Sequence, residues 1–169
     1  MRKMSVIGLA LGLTLGSAVG GALRADGAAL NLGKQDSPTA LRDGERLMAS
    51  GDYAIAVTVL QSVGVQSESA REAQRLSDLA KSFLYTGYFE QAENTATQAL
   101  ALDKSREEAW STLGAAQVFE MRRSIALETF SKGVAELKAA HKNATHLAAT
   151  HDYLQALVQE QDGSMVAAK

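Results

Sequence analysis

Apolar residues recur at helical spacing through most of the chain, in segments of similar length. From Ala73 to Thr86, the residues Leu76, Leu79, Ala80 and Phe83 fall on one face of a 3.6-residue helix. Gly87 interrupts that pattern, and Tyr88 to Leu102 carries a second stripe of Ala92, Ala96, Ala99 and Leu100. Glu107 to Glu120 repeats the first kind of helix with Trp110, Leu113 and Gly114. Ser124 to Leu137 repeats the second with Ala126, Phe130 and Val134. No segment reads convincingly as a strand, so the pattern predicts an all-α chain.

The segments superpose at a fixed period. Leu76 to Trp110, Leu79 to Leu113, Ala92 to Ala126 and Ala96 to Phe130 are each 34 residues apart, as are Leu113 and Leu147. Toward the N-terminus the interval is 36, from Gly51 to Gly87, Ala56 to Ala92, Leu60 to Ala96 and Val63 to Ala99. Two amphipathic helices per period predict a helical solenoid. Small residues recur within it: Gly44, Ala80, Gly114 and Ala148 on the first helix of each unit, Ala56, Ala92 and Ala126 on the second. Helices that cross closely need small side chains at the contact, and Leu79, Trp110, Leu113 and Phe130 fill the space beside them. The expected domain runs over residues 38–161, with Ser37 as N-cap before Pro38. It holds three helix pairs and a capping helix near 143–161, followed by a frayed tail over 162–169.

These residues resemble the tetratricopeptide repeat (TPR) family. Trp110, Leu113, Gly114, Ala126 and Phe130 carry the likeness in one unit. Leu76, Leu79, Ala80, Phe83, Gly87, Ala92 and the run Ala99 to Asp103 carry it in the unit before. In the first unit Gly51, Asp52, Tyr53 and Ala56 fit, while Asp43 stands where a leucine is usual. Lys104 and Lys138 replace the usual closing proline, and Gln117 and His151 occupy aromatic positions. The resemblance implies a short right-handed solenoid that binds a protein or peptide in a concave groove lined by the first helix of each unit. On that register the groove takes Gln74, Ser77, Lys81, Leu84 and Tyr85 from the second unit. The third unit adds Glu108, Ser111, Ala115, Val118 and Phe119, and the capping helix Lys142, Thr145, Ala149, Asp152 and Tyr153. Tyr85, Phe119 and Tyr153 are one period apart, which predicts either a row of exposed aromatic contacts or rings packed between neighbouring helices. Because Lys81, Glu108 and Lys142 mix signs, the groove lacks the row of cations that clamps a carboxylate, and apolar contact should dominate.

The N-terminus differs in kind. Arg2 and Lys3 precede an uncharged run from Met4 to Leu23, with small residues Ala18, Gly20 and Ala22 at its exit. That order reads as a cleaved export signal over residues 1–22. The alternative is a retained inner-membrane anchor that self-associates through Gly8, Gly12, Gly16 and Gly20, which share one helix face. Both place the remainder outside the cytoplasm, in the periplasm or otherwise exported, with 23–37 as a flexible tether. Exported repeat proteins of this appearance resemble accessory factors of pilus assembly and secretion of the TadD type. Those are often lipid-anchored through a cysteine that this chain does not have.

Composition narrows the chemistry. With 46% hydrophobic and 21% charged residues and one proline, the chain has the balance of a folded, helix-rich domain. A formal charge of −2 argues against nucleic acid as a partner. The absence of cysteine removes disulfides, thiolate metal sites and a cysteine nucleophile together. His141, His146 and His151 are spaced by five, so successive rings point to different helix faces rather than converging on a metal. The carboxylates Glu68, Glu107 and Glu108 read as solvated, and no nucleophile stands with a base and an oxyanion donor. No enzyme and no cofactor are therefore expected.

Overall fold

A computed structural model describes residues 37–167, with side chains over 39–160. The leader and, up to Asp36, the tether of the sequence reading lie outside these residues. Seven helices follow one another: α1 Ser37–Ser50, α2 Tyr53–Ser62, α3 Ser69–Tyr85, α4 Phe89–Leu102, α5 Glu107–Phe119, α6 Arg123–Ala139 and α7 Thr145–Ala167. Each packs on the next, and α1, α3, α5 and α7 also meet in sequence, one repeat to its neighbour. The result is the all-α, TPR-like solenoid of three helix pairs with a capping helix. Where the sequence reading ended the last helix near Gln161, the backbone continues as helix to Ala167. The chain's one proline is far away, so nothing there breaks the ladder.

The turns repeat as closely as the side chains. After α3, the Gly87 N–H donates to the Leu84 carbonyl at 3.1 Å and the Tyr88 N–H to Phe83 at 2.9 Å. After α5 the same pair runs from Met121 to Val118 and from Arg122 to Gln117. After α6 it runs from His141 to Lys138 and from Lys142 to Leu137. This is the Schellman closure, which needs one residue in the left-handed region. Gly87 takes φ +83° without a Cβ penalty, whereas Met121 and His141 hold φ 61° and 54° as non-glycine residues.

The core is built at the contact inside each pair. Ala56, Ala92 and Ala126 are fully buried, as are Ala80 and Ala96. A Cβ on Gly44 would come within 2.6 Å of Leu60, and one on Gly114 would collide with the Phe130 ring. The residue sixteen positions on is therefore large where the first helix has glycine, and small (Ala96) where it has Ala80. Trp110 donates its indole N–H to the Lys104 carbonyl at 2.8 Å, so the loop that lacks the usual proline is held by a side chain. Gln117, at an aromatic position of the resemblance, is buried in a polar network. Its amide donates to Glu93 at 3.2 Å and its carbonyl accepts from Thr129 at 2.8 Å. Arg122 closes the network on Glu93 and Glu120.

Between the first two pairs lies a buried ion pair. The Arg75 guanidinium donates to both Glu72 carboxylate oxygens, at 3.0 and 2.6 Å, and to the Leu60 carbonyl at 3.0 Å. Glu72 also accepts the Gln66 N–H at 2.9 Å. One residue pair thus ties the end of α2, the following loop and the start of α3 together. The Arg75 hydrogen bond is the chief reason the Glu72 carboxyl sits below its ordinary range.

Candidate functional site

The first helices of successive units, α3 and α5, border a cleft of about 410 Å³ that α7 touches through His146. Of the residues assigned to the groove from sequence, Lys81, Leu84, Tyr85, Glu108, Ser111 and Ala115 line it together. A second cleft of about 450 Å³ continues from Leu84, Tyr85 and Ala115 to Phe119 and Phe89. The two clefts share three residues and form one surface.

Two assignments differ from the expectation. Ser77 is 2% exposed and therefore sits behind the groove surface, because α3 is flanked by neighbours from both adjoining repeats. Val118 is half-buried and packs against the core cluster that contains Trp110 and Leu113. Gln74 lies at the groove's end toward α1, where its amide donates to Glu45 at 2.6 Å. Thr145, Ala149 and Tyr153 are exposed on α7, as are Lys142 before it and Asp152 within it. They line neither cleft. Glu107, Thr112 and His146 line the first cleft and were not assigned from sequence. Thr112 is one period after Asp78, and the Glu107 carboxylate is 3.8 Å from the His146 ring.

The aromatic positions resolve into stacked pairs. Tyr85 lies parallel to Tyr53 of α2 with ring centroids 4.3 Å apart, and Phe119 lies parallel to Phe89 of α4 at 4.9 Å. Each groove ring thus rests on the second helix of the preceding pair, and both expected arrangements hold at once: the rings are packed, yet 60% of each is exposed. Tyr153, 68% exposed, has no ring partner among the described residues, because the periodic counterpart of Tyr53 and Phe89 is Arg123. Stacking fixes two large apolar surfaces at low entropy cost, one repeat apart.

Electrostatics single out Asp78, which sequence reasoning missed. Burial on α3 pushes its carboxyl up to about 7, and the nearby carboxylates Glu45 of α1 and Glu108 of α5 add to the rise, against Arg106 and Lys81. The folded state therefore binds this proton more tightly than the unfolded chain. Stability from this group is full below about pH 4 and is lost as pH rises toward 7. Asp78→Asn should accordingly stabilise the protein by about 2 kcal/mol at pH 8 and by close to nothing at pH 4, allowing for partial solvent screening. Urea denaturation at the two pH values measures both; equal stability at pH 8 would show that the carboxyl is not destabilised by its surroundings.

Among the described residues no three His, Asp or Glu side chains are grouped to hold a metal, and no Ser or Thr hydroxyl is hydrogen-bonded to a histidine ring: Thr150 donates to the backbone carbonyl of His146, and the His151 ring meets Asp152. Among them, too, no helix is long and apolar enough to cross a membrane.

Antiparallel helix pairs stacked one repeat on the next, with a cleft along the first helices, define a TPR-like helical solenoid. Solved structures share this fold. The crystal structure of the Sgt2 TPR domain from Aspergillus fumigatus is similar with a TM-score of 0.64, at 21% sequence identity over 75% of this chain and 81% of that one. No family model and no curated protein matches the chain.

Proposed function

We propose that this protein is a cell-envelope scaffold that holds a segment of a partner polypeptide along the groove of α3 and α5. The observation that carries this reading is the pair of stacked, exposed aromatic platforms, Tyr85 on Tyr53 and Phe119 on Phe89, one repeat apart beside a continuous cleft. Rigid exposed rings of this kind anchor interfaces. The basic start and apolar run of residues 1–22 support export to the periplasm, with cleavage or membrane retention as the two routes. Assistance to pilus assembly or secretion is the machine that the overall resemblance favours.

A photo-crosslinking residue in place of Phe119, used in the native cells, tests the reading. A discrete envelope protein should be captured there. A Tyr85→Ala/Phe119→Ala/Tyr153→Ala chain, which loses about 1–2 kcal/mol of stacking but stays folded, should bind that protein at least about tenfold more weakly. Unchanged binding by the triple variant would move the binding surface off this face.

A further inference from the structure

We infer that the cleft between α3 and α5 receives a lysine or arginine side chain of the partner, with an apolar neighbour of that residue lying on the Tyr85 ring. This deepens the groove reading and rests on it. The cleft's lining holds two carboxylates, Glu107 and Glu108, against one fixed cation, Lys81. Asp78 of α3 lies close enough to Glu108, and to Glu45 of α1, to feel both charges. The nearby Arg106 is already engaged, with the Ala70 carbonyl at 3.0 Å and Asp103 at 3.5 Å. Asp78 and Glu108 have neither an ion pair nor a side-chain hydrogen bond among the described residues. The Glu107 Oε1 atom is buried without a hydrogen-bond donor, the His146 ring standing 3.8 Å away, beyond hydrogen-bond distance. Buried acceptors and clustered carboxylates lacking partners are what a cationic donor satisfies. Leu84, Ala115 and Tyr85 supply the apolar wall along which a long side chain lays its methylenes while its charged head reaches the acids. An acidic peptide would meet Glu107 and Glu108 instead, at a cost in repulsion.

Selection of a random dodecapeptide display library on the full chain, followed by fluorescence-polarisation titration of the enriched peptides, tests this. The expected sequences carry Lys or Arg beside an apolar residue. Changing that Lys to norleucine should weaken binding about tenfold or more. The Asp78→Asn/Glu108→Gln protein should weaken the lysine peptide by a similar factor and leave the norleucine peptide unchanged. Apolar peptides with no need of a cation, but lost on Tyr85→Ala/Phe119→Ala, would overturn the charge assignment and keep the groove as the binding surface. Enriched acidic peptides would overturn it as well. Peptides indifferent to both variants, or no enrichment at all, would remove the cation site and the groove reading together.

Discussion

Phe130→Ala should destabilise the protein by about 3–5 kcal/mol, the range for emptying a buried aromatic site. Phe130 is 2% exposed and its ring covers Gly114, the crossing point of α5 and α6. The glycine makes the prediction more specific than a general loss of volume. In the native chain Gly114→Ala should cost about 1–2 kcal/mol, because the buried ring cannot move aside and overpacking outweighs the better helix propensity of alanine. In the Phe130→Ala background the same change should stabilise by about 1 kcal/mol, since the cavity admits the methyl. Guanidinium denaturation of the four proteins gives the cycle. If Gly114→Ala has the same sign in both backgrounds, the two positions are not in the contact described.

Arg75→Met should cost a comparable amount, about 3–5 kcal/mol, for a different reason. It leaves the Glu72 carboxylate buried with only the Gln66 N–H to satisfy it, and it frees the Leu60 carbonyl. The loss should shrink on acidification, as the unpaired Glu72, whose burial raises its carboxyl once Arg75 is gone, takes up a proton, whereas the native pair holds the carboxyl ionised to lower pH. A Glu72→Met/Arg75→Met protein should recover much of the loss, because two apolar side chains of similar volume replace both charges. Urea midpoints for the two variants decide it: a double variant as unstable as the single one would mean that the pair acts through packing and not through charge.

Much of the architecture could be read from residue spacing because a stacked repeat converts distance in space into a constant offset in sequence. The 34-residue interval from Leu76 to Trp110 reports two side chains in equivalent environments, and both are buried. The same logic placed Tyr85 and Phe119 on one face. It did not pair them with Tyr53 and Phe89, although those two are themselves 36 residues apart and carried the signal. Asp78 was beyond such reasoning, since its character depends first on burial by neighbouring helices and then on carboxylates from α1 and α5 that are not at periodic positions with it. Ser77 was placed in the groove by register alone; register sets the direction of a side chain, not whether a neighbouring helix covers it. The left-handed turns at Met121 and His141 show the opposite case, in which the backbone keeps the rhythm after the glycine that announces it is gone.

Because each helix touches only its nearest neighbours in the stack, the described domain is a set of interfaces connected in series. A tensile load applied at its two ends passes through every one of them in turn. At each junction the contact between first helices shares the load with the contact between consecutive helices, but one junction does not relieve the next, so the domain yields at its weakest junction first and lengthens by one helix pair at a time. Such a body behaves as a compliant spring whose extension is set by how many junctions have opened.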